Sequence, residues 1–186
     1  MDIYQEPVVD RLQQANVFWV GLSAVLFDEA DEKLPLSILT PSGSLVHSIE
    51  KPYRKFCTFY KTNLVKCAPV ADDKIRYPSG AEMEQCFPNF LWELEALAPR
   101  TIFLLGKQVS DFVTRKLKLP TVKMSDSFDY ETVQYGEIQF VPIHHPSYIL
   151  VYKRKLVQEY TEGLQSIITR SIAPKKMKKR NGCLQD

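Results

Sequence analysis

Thr101-Ile102-Phe103-Leu104-Leu105-Gly106 is a short run of β-branched and large apolar residues closing on a glycine, the pattern of a buried strand. The stretch before it shows how the chain arrives there. Ser79 followed three residues later by Glu82 has the form of a capping box, and Met83, Cys86, Phe90, Leu94 and Leu97 recur at helical spacing until Pro99. Residues 107–117 then read as a second helix. Val17-Phe18-Trp19-Val20-Gly21-Leu22 and Phe59-Tyr60-Lys61-Thr62 repeat the buried-strand composition. Val133 to Val141 alternates as extended structure around Gly136, and a last helix is expected from near Tyr148 to about Ile172. This order of strands and helices implies an α/β fold, a parallel sheet covered on both faces, with functional loops leaving the carboxyl ends of its strands.

With 45% apolar and 25% charged residues in a chain of 186, one globular domain is expected, over residues 1–172. The net charge of +2 conceals an asymmetry, because Lys175, Lys176, Lys178, Lys179 and Arg180 all lie in the segment 173–186, which reads as a disordered basic tail. The rest of the chain is slightly acidic. A general nucleic-acid coat is therefore excluded, and any DNA contact must be local. No apolar run approaches the roughly 20 residues that span a bilayer, and Met1 to Glu6 lacks a secretory pattern. A cytoplasmic, monomeric protein with no membrane partner is expected. Cys57, Cys67, Cys86 and Cys183 form no close C-x-x-C pair and read as ordinary thiols.

Two stretches carry chemistry. Ile143-His144-His145-Pro146-Ser147-Tyr148-Ile149-Leu150 follows a strand directly. Its proline stiffens the turn, its serine and backbone N–H groups suit phosphate, and its apolar tip suits a wedge between bases. Phe59 to Pro69 places Asn63 just past a strand, and an amide offers one donor and one acceptor side by side, which matches the pairing edge of an extruded pyrimidine. An asparagine there is also a common turn or cap residue. Val20-Gly21-Leu22-Ser23-Ala24 is a weaker third motif, since many strands end at glycine.

In this order and spacing the three motifs resemble the uracil-DNA glycosylase superfamily, particularly its thermostable iron–sulfur class, over roughly residues 17–170. The resemblance implies a three-layer α/β/α sandwich around a mainly parallel four-stranded sheet. It also implies a monofunctional DNA glycosylase that flips out a base, uracil or another modified base, and hydrolyses its bond to deoxyribose. It assigns Asn63, with Gly21 and Leu22, to the base, and His145 to donation toward the pyrimidine O2. Ile149 takes the place of the leucine that plugs the vacated duplex. Ser42, Gly43, Lys107, Ser147 and Tyr148 fall where DNA is contacted. DNA is thus the expected partner, in repair or in defence against phage.

Two departures stand out. Leu22 occupies the place of the acidic residue of the thermostable class, so water positioning falls to Ser23 or the backbone, helped by Asp28 or Glu29 from the acidic run. The first motif is closer to the branch with an apolar Gly-Leu-Ala-Pro-Ala pattern, which accepts more bases, and hypermodified cytosine of phage DNA is an alternative substrate. The second departure concerns iron: Cys67 and Cys86 match ligand positions of the family's cluster, but residues 1–56 contain no cysteine. No cofactor and no metal are expected. A non-catalytic binder of modified DNA, or an unrelated hydrolase on a similar fold, remain the other function classes.

Protein purified without oxygen should accordingly be colourless and free of stoichiometric iron, as measured by absorption and metal analysis. A brown preparation would place Cys57 or Cys183 in a cluster with Cys67 and Cys86.

Overall fold

The computed structural model describes residues 10, 12–25, 34–72 and 74–172. Its main sheet has five strands: β1 (Val17–Ser23), β2 (Phe59–Val65), β5 (Thr101–Leu105), β6 (Val133–Tyr135) and β7 (Ile138–Ile143), in the order β2-β1-β5-β7-β6. Strands β2, β1, β5 and β7 are mutually parallel. The fifth strand, β6, corrects the expectation of four. Gly136 adopts φ +58, a left-handed conformation in which glycine has no β-carbon penalty, so the extended run around it folds into an antiparallel hairpin of β6 on β7. A separate two-stranded ribbon, β3 (Val70–Ala71) with β4 (Lys74–Ile75), lies between β2 and the next helix and was not foreseen.

Alternation along the strands builds the three layers. Val17, Trp19, Phe103, Leu105, Val141 and Ile143 face one side, where α1 (Pro41–Glu50), α4 (Pro146–Tyr152) and α5 (Val157–Ile172) cover them with Val46, Ile49, Ile149, Leu164 and Ile168. Phe18, Val20, Ile102, Leu104 and Phe140 face the other, under α2 (Gly80–Leu97) and α3 (Lys107–Lys116). Both sides of the central strands are dry, which explains their uninterrupted apolar runs. The capping box opens α2 as expected: Ser79 Oγ accepts from the Glu82 N–H, and Glu82 accepts from the Ser79 N–H at 2.7 Å. The single last helix expected from the sequence is instead two. The chain breaks at Lys153 (φ −128, ψ 31), a polar position in the apolar series Ile149, Lys153, Val157, and a short 3-10 turn at Arg154–Leu156 leads into α5. No described helix is long and apolar enough to cross a membrane.

One ion pair lies inside the second layer. Lys66 and Glu93 are 5% and 3% exposed, and the ammonium donates to Glu93 Oε2 at 2.7 Å, to Thr62 Oγ1 at 2.5 Å and to the Asn63 carbonyl at 2.8 Å. Tyr60 and Thr62 donate to the same carboxylate. Every ammonium proton has an acceptor, which is what permits a charge at this depth. Burial still pulls the Lys66 pKa down, against the pull of Glu93 in the other direction.

Glu93→Ala should therefore lower stability by about 3–5 kcal/mol, because it strands a buried ammonium. Glu93→Leu combined with Lys66→Met should recover most of that loss. Urea unfolding at neutral pH measures both, and a single-variant loss below about 1 kcal/mol would show that water reaches Lys66.

Candidate functional site

The carboxyl ends of the parallel strands open into a cleft of about 990 Å³. Gly21, Leu22 and Ser23 enter it from β1, Asn63 from β2, Leu105 and Gly106 from β5, and His145 from beyond β7. This is where a ligand is expected in an open parallel sheet.

Asn63 is not past its strand, as the sequence suggested, but within it, paired in register with Gly21. A β-carbon on Gly21 would overlap Asn63 Oδ1, so the absent side chain on β1 makes the space in which the neighbouring amide lies. The residue is 7% exposed and lines the cleft, and its amide makes no hydrogen bond among the described residues. Its backbone carbonyl is held by Lys66. The result is an anchored residue with a free donor–acceptor edge.

His145 is the N-cap of α4, in extended conformation at φ −64 and ψ 137, with Pro146 at the first helical position. Its Nδ1 accepts from the Ser147 N–H at 3.1 Å and lies 2.7 Å from Ser147 Oγ. A nitrogen that accepts from an amide carries no proton, so the neutral ring bears its hydrogen on Nε2. Burial lowers the His145 pKa and favours this neutral form. Gly106, at φ +88, passes close beneath: a β-carbon there would sit 3.4 Å from His145 Cβ, and the Gly106 N–H donates to the Ile143 carbonyl.

His144 is engaged differently. Its Nδ1 is 2.8 Å from Tyr130 Oη, its Nε2 is 3.8 Å from Asp126, and its ring stacks on Tyr148. Its carbonyl accepts from Tyr160 Oη. Of two adjacent histidines, one is fastened into the protein and the other lines the cleft.

The remaining expected residues separate. Ser42, Lys107, Ser147 and Tyr148 line the cleft with Leu22 and Ser23. Lys107 is exposed and pairs with Asp111 at 2.5 Å. Gly43 has a packing role: its N–H is capped by Thr40 Oγ1, and a β-carbon would run into the carbonyls of Leu36 and Ser37. Ile149 is a correction. It is 0% exposed, in the core with Trp19 and Leu164, because the helix begins at Pro146 and turns this position inward. It cannot serve as a surface plug in this arrangement. Asp28 and Glu29 lie outside the described residues, as do Cys183 and the basic tail 173–186.

Sequence reasoning missed Tyr77, Val151 and Tyr152, all exposed liners of the cleft, and the segment Leu34–Ser37 beside them. Starting the helix at Pro146 would have found Tyr152, which lies one turn beyond Tyr148. Arg76 also lines the cleft, but its guanidinium is bidentate on Glu82, whose pKa it holds down at about 2. Cys57 packs in the layer with Trp19, apart from Cys67 and Cys86, and no group of three or more His, Cys, Asp or Glu suited to a metal occurs among the described residues. The described thiols do not fit a four-thiolate cluster.

Residues 10–166 match the family described as the Uracil DNA glycosylase superfamily. A Type-4 uracil-DNA glycosylase of Archaeoglobus fulgidus is 30% identical over 111 residues, 58% of this chain and 54% of the relative, so the match spans about half of that protein's length. The crystal structure of wild-type SMUG2 from Pedobacter heparinus superposes with a TM-score of 0.61 at 16% identity, covering 84% of this chain and 76% of that one, a likeness of fold.

The hydrogen bonds of His145 lead to a spectroscopic prediction. His145 should titrate below the ordinary histidine value of about 6.5 and show the Nε2–H tautomer in nitrogen NMR. Since the unfolded chain takes up this proton at higher pH than the folded one, the stability contributed by neutral His145 is present above about 6.5 and is lost as pH falls from there through the folded pKa. A midpoint above 6.5 would contradict the effect of burial on this ring, and a neutral form protonated on Nδ1 would contradict the assigned tautomer.

Proposed function

The chain belongs to the uracil-DNA glycosylase superfamily, and from that premise we propose that it hydrolyses the bond between a base and its deoxyribose in DNA, leaving an abasic site. One observation carries the reading: an unpartnered, anchored amide at Asn63 and an Nε2–H donor at His145 line the same cleft from either side of β1 and β5.

In the proposed reaction the target nucleotide leaves its stack and its base enters the cleft. Asn63 presents donor and acceptor to the pairing edge. As the C1′–N bond breaks, the electron pair departs with the base, and His145 Nε2–H donates to the carbonyl oxygen on which negative charge grows. A neutral donor that needs no reorganisation is suited to that task once the base has displaced water from around it. Water then adds to C1′ and loses its proton. We assign the water to the end of β1, at Ser23 or a backbone carbonyl, with Asp28 or Glu29 as assisting bases. Ser42, Ser147 and Lys107 would hold the flanking phosphates. Lys107 can turn from Asp111 to phosphate at little cost, since an exposed ion pair is weak.

Uracil is the proposed base, after the relative named a Type-4 uracil-DNA glycosylase. A larger base, including hypermodified cytosine, is the second reading. It is favoured by the uncharged Leu22-Ser23 lining and by a volume near the upper end for small-molecule sites.

Excision is tested on oligonucleotides carrying a panel of modified bases, with abasic sites revealed by alkali. His145→Ala should slow single-turnover cleavage by roughly 10²-fold or more while DNA binding persists, and Asn63→Asp should change the ranking of bases more than the overall rate, since it removes a donor. Full activity in His145→Ala would refute the assigned chemistry. Tight binding with no abasic product from any base would leave a DNA-binding module on this fold.

A further inference from the structure

The face of α4 that turns away from the core carries a run of aromatic rings. Tyr148 stacks on His144 with centroids 5.4 Å apart at 15°, and Tyr152 continues one turn further, 5.3 Å from Tyr148 at 40°. Tyr152 is 73% exposed, so the outer end of this ladder presents a bare ring to solvent beside the cleft. Arg154 and Lys155 follow immediately, both exposed and in no ion pair among the described residues. Tyr77, also exposed, borders the same cleft after β4. Exposed rings beside cations are the combination that single-stranded nucleic acid binds, base on ring and phosphate on cation.

Resting on the glycosylase reading, we propose that Tyr148, Tyr152, Arg154 and Lys155 form a platform for unpaired nucleotides flanking the extruded one, so that this chain takes its target from single-stranded DNA. Stacking selects the strand state. Within a duplex each base already has neighbours on both faces, whereas an unpaired flank has a free face that can extend the ladder beyond Tyr152. Every base has such a face, so the stacking is indifferent to sequence. The cations just past the rings complement the phosphates of the same strand.

The test uses the full chain and labelled oligonucleotides without a target base, as single strands and as duplexes of the same sequence, with binding read by fluorescence anisotropy. Tyr152→Ala should weaken single-strand binding roughly 5- to 150-fold, the range for losing one base–aromatic stack, and duplex binding far less. Tyr152→Phe should restore it. Arg154→Ala with Lys155→Ala should flatten the salt dependence for single strands by about 0.7 for each phosphate that is no longer neutralised. Unchanged melting temperatures identify these as surface effects. Equal weakening on single strands and duplexes, weakening confined to duplexes, or no weakening would each overturn the platform. Excision by the parent chain is scored separately: abasic product with an indifferent Tyr152 defeats the platform alone, and stacking without abasic product from any base defeats the glycosylase reading while the platform stands.

Discussion

A side-chain amide on β2 occupies the space where a β-carbon on β1 would be. That packing of Asn63 against Gly21 fixes much of what surrounds it. It depends on this register of the two parallel strands, since a slip of one residue would put Leu22 or Val20 against the amide and reverse the faces of the strand. It requires Asn63 to remain in the strand and buried. The Lys66 ammonium meets that requirement by holding the Asn63 carbonyl and tying β2 to α2 through Glu93. The ion pair is thus at once a core feature and the backing of the cleft.

Charge is distributed consistently with this. The groups that face the cleft at the strand ends, Asn63, Ser23 and His145, are uncharged, His145 because burial disfavours its cation. Of the cations at the rim, Arg76 is neutralised by Glu82 and Lys107 by Asp111. Under the proposed reaction such a site leaves a neutral base without strong ground-state attraction and acts when charge appears on it, the condition for lowering a barrier and not merely binding. The lowered His145 pKa agrees with this, since an imidazolium would have to give up the bond that Nδ1 accepts from the Ser147 N–H.

Signals confined to neighbouring residues were legible in the sequence. The composition of Val17–Leu22 and Thr101–Leu105 marked strands buried on both faces, and Ser79 with Glu82 marked a helix start that the structure contains in both of its hydrogen bonds. The family motifs also pointed to residues that the fold brings into one cleft, among them Gly21, Asn63, Ser42 and His145. Other features depended on partners distant in sequence. Asn63 looked like a residue beyond its strand because a buried asparagine makes sense only once Gly21 lies beside it. Glu93 looked like an ordinary polar position on α2, and only the fold brings Lys66 to it. The helix α1 lies in a segment without clear periodicity, where only the resemblance at Ser42-Gly43 implied a helix start; locally its cap is Thr40, with Pro41 at the first helical position.

Ile149 shows how a sequence motif leaves the facing of a side chain open. It lies four positions after His145, and in a loop such a residue could point outward. Here His145 is already the N-cap and Pro146 the first helical residue, so the phase of the helix is set before Ile149 is reached. At 3.6 residues per turn, positions 148 and 152 share one side while 149 faces elsewhere. The sheet lies on the side of 149, where Trp19, Ile143 and Leu164 form the core. The side chains given to solvent are then Tyr148, Val151 and Tyr152. The motif's branched side chain at 149 is placed in the core, and Tyr148 and Tyr152, rings that can extend a stack, are placed outside with Val151. The hydrogen bond by which Ser147 orients His145 belongs to the same first turn, so the geometry of the proposed chemistry and the surface offered to the nucleic acid follow from one helix start.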